Sequence, residues 1–171
     1  IDSEFNQLVT DMEAGTIGTL MLYGANPAYT YYNADKFKAA LKKVKVTVSF
    51  NEKMDETSEL CEYIIPAHHY LESWGDAEPK AGVTSFLQPT IYPLFKTRPF
   101  QTSLLKWSGD NTDYETYFKN YWTGKLGSET AFNKALQDGI VETAVAPAGG
   151  SYSGGGVAEA AAAVAAYKKA T

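Results

Sequence analysis

Both histidines of the chain, His68 and His69, fall in one short stretch that ends at Pro79 and also holds Trp74, Glu72, Asp76 and Glu78. These residue types can move protons or bind a metal. On a helix, His68 and Glu72 would share a face, and His69 or Asp76 would have to supply a third ligand. A metal-binding or hydrolytic module using His68, His69 and Glu72 is therefore one reading of the stretch. Adjacent histidines, however, project in different directions, and carboxylates in a loop containing Gly and Pro are ordinarily solvated or bonded to backbone. The chain has no Gly-x-Ser-x-Gly nucleophile elbow, no phosphate-binding P-loop and no G-x-G-x-x-G fingerprint. The expectation is a stretch without catalytic residues or metal ligands, its histidines packing and hydrogen bonding.

A second candidate is the loop Gly24-Ala25-Asn26-Pro27, which closes the apolar run Ile17–Tyr23. A run of that length reads as a strand covered on both faces. Open parallel sheets bind ligands in loops at the carboxyl ends of their strands.

The elements that would position these stretches follow from periodicity. Phe5, Leu8, Val9 and Met12 keep helical spacing, with Asp2 or Ser3 to cap the start and Gly15 to end the helix. Asn33 caps a second helix bearing Phe37, Ala40 and Leu41, and the alternation Val44, Val46, Val48, Phe50 reads as the next strand. Strand, helix and strand make a βαβ unit with parallel strands. Asp55 caps a short helix, and Tyr63–Ile65 supplies a third strand. Further along, Gly82–Gln88 reads as a short strand and Pro89, Pro93 and Pro99 keep the chain extended. Phe100, Leu104 and Leu105 mark a helix stopped by Gly109. Asp113 caps an aromatic helix with Tyr114, Tyr117, Phe118, Tyr121 and Trp122 on one face, a stripe suited to a core or a subunit interface. Ser128 and Gly139 bracket a last helix with Phe132, Ala135 and Leu136 inward. The predicted class is α/β: a Rossmann-like, open, mostly parallel sheet flanked by helices, with additional C-terminal helices. Residues 1–143 form that domain. Residues 144–171 read as a flexible Gly/Ser/Ala-rich tail with a helix over Val157–Lys169 that needs something to dock on.

Composition narrows the functions. The net charge is −5 and Lys and Arg are scattered, which excludes the basic stripe that nucleic acid requires. The single cysteine, Cys61, can form no internal disulfide and can hold neither an iron–sulfur cluster nor a thiolate zinc site. No apolar run reaches the roughly 18 residues of a membrane span. The chain begins at Ile1 without a signal-like segment, as expected of a piece of a longer protein.

Four stretches carry a family likeness: Gly24-Ala25-Asn26-Pro27-Ala28-Tyr29; Met54-Asp55-Glu56-Thr57; Ile65-Pro66 running into His69-Tyr70-Leu71-Glu72-Ser73-Trp74-Gly75-Asp76; and Gln88-Pro89-Thr90-Ile91 with Pro93-Leu94-Phe95 and Arg98. Over roughly residues 1–140 the chain resembles the molybdopterin oxidoreductase superfamily. Its likeness is strongest to the large iron–sulfur subunit of bacterial alternative complex III, a quinol:electron-acceptor oxidoreductase. The resemblance implies a cleft for the guanine-dinucleotide end of a pterin cofactor, lined by Gly24, Asn26 and Pro27 on one side and by Glu72, Gly75, Asp76 and Gly82 on the other. It also implies departures from cofactor-binding members: Asp76 where they favour Thr, Glu78 where an Asn is expected, and Val83 in place of a common Arg. Asp76 and Glu78 would meet a pyrophosphate with like charge.

The implied role is a non-catalytic scaffold without bound pterin, inactive in isolation, within a larger subunit whose iron–sulfur clusters are carried elsewhere. Its implied partners are the other subunits of a membrane-bound respiratory complex, and its implied place is the periplasmic face. The alternative within the same family is the molybdopterin guanine dinucleotide-binding domain of an active molybdenum oxidoreductase.

Overall fold

The structure, a computed structural model, describes residues 2–146, 149–150 and 156–166. Its architecture is α/β, but with two small sheets rather than one. In the first sheet, β1 (Thr19–Leu22), β2 (Val46–Ser49) and β3 (Tyr63–Ile64) run parallel in the order β1-β2-β3, with Leu20 opposite Thr47 and Ser49 opposite Ile64. Helix α1 (Asp2–Glu13) precedes β1. A single turn, α2 (Pro27–Thr30), and α3 (Ala34–Leu41) form the crossover to β2. Asn33 caps α3 by accepting from the backbone N–H of Lys36. Val9 and Met12 of α1, Phe37, Ala40 and Leu41 of α3, and Leu20 and Leu22 of β1 make one buried cluster.

The expectation that the first strand is covered on both faces does not hold. Leu20 and Leu22 are buried, whereas Met21 is 47% exposed and Tyr23 54%. The strand lies at the edge of its sheet, and α1 and α3 pack on one side only. The opposite face is covered in part by α4 (Phe100–Trp107): Phe100 packs against Phe50 and Tyr23, and Trp107 against Phe50.

The second sheet is antiparallel: β4 (Gly75–Lys80), β5 (Val83–Leu87) and β6 (Ile140–Glu142), in that order. Helices α5 (Tyr114–Leu126) and α6 (Glu129–Asp138) pack on it through Phe118, Trp122 and Phe132, with Trp74, Phe86 and Leu136 around them. The aromatic stripe of α5 therefore divides. Phe118 and Trp122, four apart, are buried, while Tyr117 and Tyr121 remain 44% and 51% exposed. Neither β4 nor β6 is expected from the sequence pattern, and the second part of the stretch ending at Pro79 is strand rather than loop.

Helix α7 (Val157–Ala166) is described, with Val157 and Val164 exposed. The end of the helix expected to Lys169, and the linker residues 147–148 and 151–155, lie outside the described residues. Among the described residues no helix is long and apolar enough to cross a membrane.

Candidate functional site

Because β1 and β2 are parallel, the loops that follow them leave the sheet at the same end. Gly24 turns the chain with φ 62°, a conformation that side chains with a Cβ resist. Pro27 then opens α2 as its first residue and is buried. Between the loops lies an open cleft of about 360 Å³ lined by Tyr23, Gly24, Asn26, Asn51, Lys53 and Asp55, among others.

Asn26, Asn51 and Asp55 bond to other parts of the protein here. Asn26 donates from Nδ2 to Glu56 Oε2 at 2.7 Å and accepts at Oδ1 from the Thr57 hydroxyl at 2.7 Å. Thr57, fully buried, accepts in turn from the Ala28 N–H at 2.9 Å. Asn51 donates from Nδ2 to Ala25 O at 2.9 Å and to Asp55 Oδ2 at 2.8 Å. Asp55 Oδ1 accepts from the backbone N–H groups of Thr57 and Ser58. Burial works against the Asp55 carboxylate, but the hydrogen bonds from Ser58, Asn51 and Thr57 outweigh it and hold its pKa below the ordinary range. The amide of Asn26 likewise lowers the pKa of Glu56. Two of the four recognised stretches, Gly24–Tyr29 and Met54–Thr57, are thus one hydrogen-bonded unit.

The other two stretches meet in the same way. His69 and Glu72 form a reciprocal cap on the helical turn Tyr70–Glu72. Glu72 Oε2 accepts from the His69 N–H at 3.1 Å, and Oε1 from the Leu94 N–H at 3.0 Å. Leu71 O accepts from the N–H groups of Thr90 and Ile91. His68 Nδ1 lies 2.7 Å from Thr97 Oγ1 and 3.9 Å from Glu72 Oε2. The backbone bond from Leu94 is the main reason the Glu72 pKa is lowered. Burial lowers the pKa of His68 against the opposing pull of Glu72, so the ring is neutral at pH 7.

Two of the three departures from the family pattern, Asp76 and Glu78, also have internal partners. Asp76 Oδ2 accepts from the Trp122 indole N–H at 2.7 Å, tying β4 to α5. Glu78 Oε1 accepts from the Gly82 N–H at 2.6 Å across the β4–β5 turn. Gly82 has φ 78°, and a Cβ there would lie 2.4 Å from Thr143 O and from Val145 Cγ2, so glycine is required.

The seven residues assigned to a cofactor cleft do not line one cavity. Gly24 and Asn26 line the cleft between the parallel-strand loops. Gly75 and Asp76 line a neighbouring one of about 230 Å³, which shares Tyr23 with the first and also touches Trp74 and Tyr114. Glu72 borders a wider groove of about 600 Å³ together with His68, Trp74, Tyr92 and Tyr114. Pro27 and Gly82 line none of these three clefts.

The residues of the metal reading also have partners within the chain. His69 Nδ1 accepts from Leu71 N–H, Asp76 serves Trp122, and among the described residues no three His, Cys, Asp or Glu side chains come together as ligands. Cys61 is half-buried, donates to Thr57 O, and has its pKa raised by burial, the profile of an inert thiol.

Sequence reasoning missed Tyr23, which joins two clefts, Asn51, and Tyr114. The hydroxyl of Tyr114 is pushed up to about 12, first by burial and then by the charge of Asp76. Asn51 had a readable signal: it follows the alternating Val46, Val48, Phe50 run just as Asn26 follows the first strand.

No protein-family model matches the chain. The chain is 34% identical over 94 residues to the menaquinone reductase, molybdopterin-binding-like subunit, of Nitratidesulfovibrio vulgaris; the match covers 53% of this chain and 14% of that protein. It shares a fold with acetylene hydratase from Pelobacter acetylenicus, with a TM-score of 0.63 and 15% identity over 82% of this chain and 21% of that one. The chain therefore spans only a small part of either protein's length. The sequence likeness is to a molybdopterin-binding-like subunit, which is in line with the molybdopterin oxidoreductase superfamily and not with alternative complex III in particular; the structural likeness shows a shared fold.

Proposed function

We propose that this chain is a structural domain of a molybdopterin-oxidoreductase-like subunit in a quinone-linked electron-transfer complex, and that it binds no pterin itself. The observation that carries this reading is where the polar groups of the expected cofactor wall are spent. Asn26, Glu72, Asp76 and Glu78 each hold another part of the same chain. A pyrophosphate calls for N–H donors or cations, yet the side chains at these positions offer carboxylates and committed amides, so the residues present do not fit the dinucleotide end of the cofactor. The same bonds join the four recognised stretches in pairs and give them a reason to exist without a ligand. In this reading the domain belongs to a large iron–sulfur subunit of the alternative complex III type. Its clusters are carried by another part of that subunit, its partners are the neighbouring subunits, and its place is the periplasmic face of the membrane.

One observation favours the second reading, a working dinucleotide site. Asn51 Oδ1 is buried without a hydrogen-bond partner beside the cleft between the parallel-strand loops. Its Nδ2 donates to Ala25 O and Asp55 Oδ2, neither of which can donate in return, and lies 3.5 Å from the Ser58 hydroxyl, so the amide orientation is settled and an acceptor is left over. Elemental analysis of the purified protein, with a calorimetric titration of guanosine diphosphate, separates the two readings. The structural reading expects neither molybdenum nor tungsten and no heat of binding. Stoichiometric metal, or guanosine diphosphate binding that Asn51→Leu abolishes, would overturn it in favour of the second.

A further inference from the structure

We propose that the arm Ile91–Arg98 is a membrane-surface anchor, which inserts Tyr92, Leu94 and Phe95 among the headgroups of an anionic bilayer while Lys96 and Arg98 pair with lipid phosphates. Tyr92 is 92% exposed, Leu94 73% and Phe95 77%. Side chains lying flat in a surface patch cover one another. Three large apolar groups this bare within four residues stand out from the surface instead, as a tip that suits a fluid acceptor able to close around it.

The arm is nevertheless held in place. Thr90 and Ile91 donate to Leu71 O, Leu94 N–H donates to Glu72, the Thr97 hydroxyl bonds His68, and Arg98 O accepts from His68 N–H. The backbone is pinned at both ends while the apolar side chains are left outside.

Charge selects the kind of surface. Although the chain is acidic overall, the stretch from Pro79 to Gly109 holds none of its 20 carboxylates, and it does hold Lys80, Lys96, Arg98 and Lys106. The carboxylates that line a groove together with Ile91 and Tyr92 are engaged: Glu72 as above, Asp113 as the cap of α5, and Glu115 with Lys119 at 2.6 Å. Lys96 and Arg98 form no ion pair among the described residues. Free cations beside exposed aromatic and aliphatic groups fit a negatively charged lipid surface. This inference does not depend on whether the domain binds a pterin or on which complex it belongs to.

The test is co-sedimentation of the full chain with vesicles of phosphatidylcholine containing about a third phosphatidylglycerol, against phosphatidylcholine alone, in low and high salt. Binding is expected to the anionic vesicles and to weaken with salt. Leu94→Ser with Phe95→Ser should weaken it by about 30-fold or more. Lys96→Glu with Arg98→Glu should weaken it by about 30-fold. Both double variants should melt with the parent, since these side chains support no core and Leu94 keeps its backbone bond to Glu72. Absence of binding to anionic vesicles, or binding unchanged in both double variants, would overturn the proposal. So would a concentration-dependent dimer that Leu94→Ser with Phe95→Ser dissolves, since the arm would then be a protein contact.

Discussion

The two sheets are built by opposite rules. In the parallel half, the apolar residues of α1, α3 and β1 form the core, and the polar residues of the loops bond to one another at one end of the sheet. In the antiparallel half, β4 has no buried residue and only Gly75 is partly covered; the core comes from β5 and two helices, and a carboxylate of β4 reaches across to an indole on α5. The first half places its polar groups where a ligand would enter, whereas the second uses them as cross-braces. A likeness confined to motifs treats the two alike, and only the bonding partners tell them apart.

The largest expected effect probes whether the halves fold together. Phe37 is fully buried in the parallel half, and Phe37→Ala should cost about 3–5 kcal/mol in urea-induced unfolding. Trp74 and Trp122 lie in the other half, and because the third tryptophan, Trp107, packs on Phe50, the fluorescence is read in a Trp107→Phe background. If α4, wedged through Phe100 and Trp107 against Phe50, makes one cooperative unit, tryptophan fluorescence will follow the same shifted transition as circular dichroism. Two separated transitions would show that the halves are independent, and would turn a contrast of design into one of domains.

The next effect is smaller and local. Thr57→Val keeps shape but leaves Asn26 Oδ1 and the Ala28 N–H without their shared hydroxyl, at a cost of about 1–3 kcal/mol. A cost near zero would mean that the loop unit is not what holds Gly24–Tyr29 in place.

The same contrast decides what could be read in advance. The parallel half was legible because burial wrote itself as periodicity: Val9 and Met12 at helical spacing, Val46 and Val48 in alternation, and Asn33 as a cap. β4 was illegible because Gly75–Lys80 carries no apolar alternation and ends in Pro79-Lys80; it is a strand through its pairing with β5, which no local pattern encodes. β6 is only three residues long and was hidden at the end of α6. The candidate residues were found, but their partners were not. Asp76 and Trp122 lie 46 apart in sequence, and the sign of a carboxylate's role depends on that partner.

Asp76 gives the third prediction. Asp76→Ala removes a charged acceptor from the Trp122 indole and should cost about 1.5–3 kcal/mol, while Asp76→Asn keeps an acceptor and restores most of it. Either change should also lower the titration of Tyr114 from about 12, because Asp76 is the second cause that raises it. Ultraviolet absorbance of the phenolate reads this directly. An unmoved Tyr114 would place Asp76 too far into solvent to brace anything.

The smallest effect is a pH dependence with two stages. The pKa of His68 is lowered from 6.5 by burial, so the unfolded chain takes up a proton before the folded one does. Stability should therefore begin to fall as pH drops below about 6.5, and should stop falling on this account once pH passes below the folded pKa. Glu72, Glu56 and Asp55 have lowered pKa values as well, and their contribution is complete above about 4.5 and lost as pH falls through their folded values. The upper stage belongs to the clasp between the His69–Asp76 and Gln88–Arg98 stretches, and the lower stage to both that clasp and the parallel-half loops. His68→Asn should erase the upper stage and leave the lower one, measured as denaturation midpoint against pH. If His68→Asn leaves the upper slope in place, the clasp does not rest on the buried ring of His68.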